Sequence, residues 1–388
     1  MAFESQRLRD GAEESAHMHA GAPGQRFGKG MTDTTMKGFH LSPQQKRLWS
    51  LQQAEARPDA GGVAARTPYW SQAVLELSAR PDPARLEAAL ARLVSRHELL
   101  RTSFASLPGM GLPLQIIGEQ SPQPLVSWYD LKGRSLGRAR RDLEQELEEA
   151  RRLEVEWEQG VALRVAVMGP VGCGRWWVAL SVPSMYGDRR GVGNIGRELA
   201  RLYALDDIED EETSEAEAIQ YADLAEWQNE LFESEETAGG REYWAGRGGG
   251  EKAERWRRWA EQYGSGGRTE RGRREEADSG YEDRRVMLWP ARVRIALGGA
   301  MRRAMAAAAG AAGVGVGEWA LACWALLWSR LSVGDEVVIG TRFDGRNYEE
   351  LKDALGLFER YLPIHLHLSG EMSFNELLQQ ITELTGDA

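Results

Sequence analysis

The chain has 388 residues, 42% of them hydrophobic and 28% charged. That length and apolar share allow two packed lobes or two small domains and exclude a wholly disordered chain. The formal net charge of -11 argues against nucleic acid as a main partner, because phosphate binding needs a basic surface, and is compatible with a soluble cytoplasmic protein.

Residues 1–36 are polar and rich in Gly, Ser and charge, and read as a disordered leader or a docking tail for a partner. Order is expected from near Phe39. Leu41–Gln53 predicts a helix, with Ser42 to cap it, Pro43 at the first helical position, and Leu48, Trp49 and Leu51 as apolar side chains. Ser71–Leu77 alternates like a strand, and Pro83–Leu100 puts Leu86, Ala89, Leu90, Leu93 and Val94 at helical spacing. Thr102–Phe104 and Leu114–Ile117 read as short strands. Leu136–Leu153 reads as a charged helix with opposite charges three and four apart. Ala162–Met168 and Trp176–Val182 predict paired strands joined by a Gly-rich turn, followed by a loop over Pro183–Asp188. Gly191–Tyr203 is expected to be helical, the acidic stretch Asp206–Glu217 a solvated loop, and Ile219–Phe232 a further helix.

Residues 247–284 are rich in Gly, Arg and Glu and are read as a linker of unusual length. An RNA-binding basic patch is the weaker reading there, because Glu and Asp are interleaved with the arginines. Beyond it, Met287–Trp289 predicts a strand, Val293–Ala312 an Ala-rich helix and Gly317–Leu331 a strongly apolar one. Glu336–Thr341 and Leu362–Leu368 read as strands, and Ser373–Leu384 as an amphipathic helix capped by Ser373. The expected division is a lobe over 37–246 and a second over 285–388, each mixing strands and helices, which makes the fold class α/β with two lobes. Cys173 and Cys323 sit far apart in apolar runs; they give neither a disulfide framework nor a zinc spacing, and read as buried thiols. No apolar run reaches the length of a membrane span, and Met1–Ala20 lacks the apolar stretch of a signal peptide. Gly313–Gly317 has alternating glycines without the context of a dinucleotide site, and no metal cluster is evident.

Five segments carry a more specific signal. Leu41-Ser42-Pro43-Gln44-Gln45-Lys46-Arg47-Leu48-Trp49, Arg96-His97-Glu98-Leu99-Leu100-Arg101-Thr102-Ser103-Phe104 and Tyr221-Ala222-Asp223-Leu224-Ala225-Glu226-Trp227 occur in that order. Tyr243-Trp244, Val337–Thr341 with Gly345-Arg346, and Leu355–Pro363 follow. Together they resemble the ordered motifs of the condensation domains of nonribosomal peptide synthetases, over roughly residues 39 to 386. The resemblance implies two chloramphenicol acetyltransferase-like lobes forming a V around a central tunnel. It also implies donor and acceptor peptidyl carrier proteins, other synthetase domains as neighbours, substrates held on phosphopantetheine thioesters, and no bound cofactor or metal. The implied reaction is attack of an acceptor amine on a donor thioester to form an amide.

The family's His-His-x-x-x-Asp-Gly motif is broken in this chain. Aligned on its aspartate, the loop reads Pro183-Ser184-Met185-Tyr186-Gly187-Asp188-Arg189, with Pro183 and Ser184 at the two histidine positions and Arg189 at the glycine. The histidines, His17, His19, His40, His97, His365 and His367, all lie far from this loop in sequence. An imidazole titrates near neutral pH and can take a proton from an amine; a serine hydroxyl can only position it. Ser184 as a nucleophile would need a nearby base, and none is evident. Asp188, mainly structural in the family, is expected to pair with Arg346 or Arg189, or to be a solvated loop residue. His97 as a replacement base stands against a structural role for its motif, to which Arg101 also belongs. Glu359 and Arg360 stand where the family has Val and Asn, which can alter the tunnel or bind an acidic group. The chain ends at Ala388, before the family's last two motifs, which suggests an incomplete second lobe, a fragment of a longer synthetase or a degraded gene. The expectation is therefore an impaired amide-forming domain, or alternatively a non-catalytic platform that recruits carrier proteins or tailoring enzymes.

Overall fold

The computed structural model describes residues 38–55, 69–107, 109–119, 122–153, 155–160, 162–172, 174–205, 218–247, 297–331 and 335–386. The leader, the acidic stretch 206–217, the linker beyond Arg247, the strand at Met287–Trp289 and Cys173 lie outside the described residues. Two compact units are formed, one by residues 1–232 with 341–362, the other by 233–340 with 363–388.

In the first unit, β1 (Gly38–Phe39), β3 (Thr102–Ala105) and β4 (Leu114–Ile117) make a small antiparallel sheet in the order β1-β4-β3. The larger sheet runs β2 (Trp70–Leu77), β7 (Arg175–Pro183), β6 (Arg164–Val171), β5 (Leu125–Asp130). Only the β5–β6 pair is parallel. The central strands β6 and β7 are buried almost throughout, which explains their near-continuous apolar runs. β5 was not expected from the sequence. Its residues are mostly exposed, so it shows no clean alternation, and it is recruited by pairing to β6.

Helix α1 spans Pro43–Glu55, α2 Pro83–Arg96, α3 Leu136–Arg152 and α4 Arg189–Ala204. Asp82 caps α2 by accepting from Arg85 N at 2.8 Å, and Ser135 caps α3. The helix expected over Pro83–Leu100 stops at Arg96. His97 there adopts an extended backbone, its N–H still donating to Leu93 O, and a tight turn over Glu98–Arg101 follows. Leu86, Leu90, Leu93 and Val94 of α2 join Ile195, Leu199 and Leu202 of α4 against one face of the larger sheet. On the other face, Ala139 and Ala150 of α3 pack on Ala166, Met168 and Ala179. Helix α5 (Tyr221–Glu233) places Tyr221, Leu224 and Ala225 in the core, and the returning segment 341–362 adds Leu351, Leu355 and Phe358 to it.

The second unit holds α6 (Ala238–Arg247), α7 (Gly299–Ala311), α8 (Val316–Leu331) and α9 (Phe374–Gly386). Ser373 caps α9 in a reciprocal box, its N–H donating to the Glu376 carboxylate at 2.7 Å and its hydroxyl accepting from Glu376 N at 3.3 Å. Trp319 of α8 meets Phe374 edge to face, with centroids 5.8 Å apart. β8 (Glu336–Phe343) and β9 (Arg360–His367) pair as a two-stranded sheet through which the division between the units runs. Among the described residues no single helix is long and apolar enough to cross a membrane.

Candidate active site

β7 delivers the chain to a turn at Pro183. Pro183 is buried and sits opposite Trp70 at the end of the β2–β7 ladder. Ser184 N donates to Tyr69 O at 2.8 Å, Tyr186 N to Pro183 O at 2.9 Å and Gly187 N to Ser184 O at 3.3 Å, so the backbone of the turn is satisfied. Met185 and Tyr186 point into the core. Ser184 is half-buried, and its hydroxyl faces Ser71 Oγ on β2 at 3.4 Å, a long and weak contact.

Asp188 closes the turn. Its Oδ1 accepts from Gly191 N at 2.8 Å, capping α4, and from Arg346 Nη2 at 3.0 Å. Its Oδ2 accepts from Arg346 Nη1 at 2.9 Å, Phe358 N at 3.0 Å and Glu359 N at 2.9 Å. The Asp188 backbone N–H donates to Gly356 O at 3.1 Å. Both side chains of the ion pair are essentially inaccessible, at 2% and 0% exposure. The pair is bidentate, and the guanidinium lies over the Phe358 ring, 4.3 Å from its centroid. Arg346 also donates to Asp344 and to Ala354 O. Of the two partners left open by the sequence, Arg346 bonds Asp188, while Arg189 is exposed.

The other motif segments converge on the same turn. Ser42 and Gln45 form a reciprocal box at the start of α1: Gln45 N donates to Ser42 Oγ at 3.1 Å and Ser42 N to Gln45 Oε1 at 3.0 Å. Gln45 Nε2 donates onward to Met185 O, inside the turn, at 2.9 Å, and to Gln115 at 3.2 Å. Tyr221 Oη donates to Leu357 O at 2.8 Å, so the Ser42 hydroxyl, 2.8 Å away, is the donor to Tyr221. Phe104 meets Tyr186 edge to face at 5.2 Å, and Trp157 stacks on Tyr186 at 6.2 Å. Burial drives the Tyr186 and Tyr221 phenols well above their ordinary range, so both stay protonated at neutral pH. Gly356 has a φ of +143°, and the Tyr221 ring fills the space a Cβ would need.

The remaining expected residues lie elsewhere. Arg101 bonds Glu98 at 3.1 Å and Gly118 O, tying the tight turn to the end of β4, and makes no bond to the 183–188 turn. His97 is 5% exposed and its Nε2 lies 2.7 Å from Glu198 Oε2 on α4. Burial is the largest influence on Glu198 and raises its pKa. The His97 hydrogen bond with the charges of His97, Arg96 and Arg201 outweighs it, and the carboxyl ends below its ordinary range. Arg360, at the start of β9, is half-buried, and the neighbouring Glu359 carboxylate is bonded by Arg342 at 2.9 Å. Gln45, Tyr221, Gly356 and Ser71 are contributors that the sequence did not single out. For Gln45 the Ser-x-x-Gln box was the available signal; for Ser71 there was none.

Residues 37–388 match the family model described as Condensation domain. The synthetase CymA of Salinispora arenicola is 30% identical over 353 residues, 90% of this chain and 4% of that protein. Bacitracin synthase 3 of Bacillus licheniformis is 25% identical over 345 residues, 89% of this chain and 5% of that protein. The chain thus spans a small part of the length of the curated relatives it matches. Among solved structures, the first condensation domain of the calcium-dependent antibiotic synthetase superposes with a TM-score of 0.69 at 19% identity, covering 90% of this chain and 75% of that one. SgcC5 of Streptomyces globisporus gives 0.62 at 21% identity, covering 87% and 72%. The expected α/β fold is that of these proteins. With its motif segments gathered around the turn between β7 and α4, the chain belongs to the condensation-domain family.

Proposed function

We propose that the chain brings a carrier-bound donor thioester and an acceptor amine together in the manner of its family, and forms the amide slowly because Ser184 stands where the family places its base. The observation that carries this reading is the state of the turn: its backbone and Asp188 are fully bonded, while the hydroxyl at position 184 has a single weak neighbour. A held turn keeps the reactants in register, and proximity alone supplies much of the barrier lowering for a reaction between bound groups. A serine hydroxyl accepts a hydrogen bond from the amine but takes no proton at neutral pH; general acid–base assistance is worth about 10²–10⁴ in rate. The substrates in this reading ride on phosphopantetheine arms of donor and acceptor peptidyl carrier proteins within a cytoplasmic synthetase, and the chain needs no cofactor of its own.

A second reading is a non-catalytic platform for carrier proteins or tailoring enzymes. It is favoured by the independence of the turn's bonding from position 184: no bond that secures Asp188 passes through the Ser184 side chain.

Loaded donor and acceptor carriers, incubated with the chain and followed by intact-protein mass spectrometry, separate these readings. Product above the no-protein rate supports slow condensation. Carrier binding without product supports the platform, and neither outcome removes both.

A further inference from the structure

We infer that this site accepts only nucleophiles that arrive unprotonated, so that weakly basic nitrogen nucleophiles such as anilines and alkoxyamines are its preferred acceptors at neutral pH; this rests on the condensation reading above. The argument is an inventory of the groups that the first unit packs around position 184. β2 offers the Tyr69 carbonyl, already bonded to Ser184 N, and the Ser71 hydroxyl. α1 offers Gln45, an amide committed to Ser42, Met185 and Gln115. Tyr186 is buried, and Tyr221 is held between Ser42 and Leu357. At the start of α4, Arg189 and Arg190 are permanently charged cations, and Arg190 pairs with Asp344. Glu359 is held by Arg342.

Asp188 is the one buried carboxylate close to Ser184 in the chain. It receives five donors, from Gly191 N, two Arg346 nitrogens, Phe358 N and Glu359 N, against about four lone-pair positions on a carboxylate. A proton from an amine would have to displace one of them and neutralise the partner of a buried guanidinium. None of these groups serves as a base toward an ammonium.

The step is balanced without one. The nitrogen lone pair attacks the thioester carbonyl, the C–N bond forms, the C–S bond breaks, and one N–H proton leaves to the departing thiolate or to solvent. The neutral amine must therefore be present beforehand. An α-amine titrates at about 8, and its neutral fraction falls about tenfold per pH unit below that. An aniline or alkoxyamine is already neutral near pH 7.

The test is a set of pH–rate profiles for the chain with an acyl-loaded donor carrier, the no-protein rate subtracted. The acceptors are a glycyl thioester of N-acetylcysteamine, an aniline and an alkoxyamine. The expected profile for the unmodified chain has one inflection that moves with the acceptor's own pKa, and is flat from pH 6 upward for the two weak bases. Ser184→His run in parallel adds an inflection common to all acceptors, near the imidazole value of about 6.5. A common inflection in the unmodified chain reveals a base and overturns the inference while leaving the condensation reading intact. Product from Ser184→His but from no acceptor with the unmodified chain also overturns it. Absence of product from both proteins defeats the condensation reading itself, and the inference with it.

Discussion

Ser184 and Asp188 are four residues apart on one turn and are treated in opposite ways. Asp188 is buried and takes five hydrogen bonds, while the Ser184 hydroxyl is half-exposed with one neighbour at 3.4 Å. The difference teaches that the family's scaffold and its chemistry are separable at the level of single residues. The motif segments 41–49, 96–104, 221–227 and 355–363 bond or pack mainly on the turn's backbone, on Asp188 or on one another. Losing an imidazole at 184 removes none of those contacts.

Breaking the Asp188 side of the comparison has the largest expected effect. Arg346→Ala leaves a buried carboxylate uncompensated and is expected to cost about 3–5 kcal/mol, read as a lower denaturant midpoint. Tyr221→Phe strips the link between Ser42 and Leu357 O and leaves both buried, at about 1–3 kcal/mol in the same experiment. Acid titration probes a third, more distant contact. Because the Glu198 carboxyl is held below its ordinary range, its stabilisation is fully present above the unfolded-state value and disappears as pH falls through the lowered folded value. Glu198→Gln is therefore expected to flatten stability against pH on the acid side, followed by thermal melts across the carboxylate range. Arg189→Gly, which sets the family's residue at an exposed position outside the clamp, is expected to change stability by no more than about 0.5 kcal/mol.

Much of this arrangement was legible in the sequence. The strands β6 and β7 declared themselves as apolar runs, and α2 and α4 as amphipathic spacing, because burial on both faces or on one leaves those patterns. β5 did not, since a mostly exposed edge strand is specified by its neighbour. The break in the motif at Pro183, Ser184 and Arg189 was readable from alignment on Asp188. The choice of Arg346 over Arg189 was not, because it depends on a contact across 158 positions. Arg101, Arg360 and His97 share motifs or charge with the site, yet local pattern does not reveal that Arg101 and His97 bond other segments instead. Ser71 became a neighbour of Ser184 only through the β2–β7 register.

The central claim is that the turn is built for condensation and lacks only its base. The most direct measurement is the rate of dipeptide formation from loaded carrier proteins by the unmodified chain and by Ser184→His, with matched unfolding midpoints to establish that both are equally folded. The account predicts that the variant is faster by about 10²–10⁴ at neutral pH. A variant that folds as well and forms product no faster than the unmodified chain would contradict it.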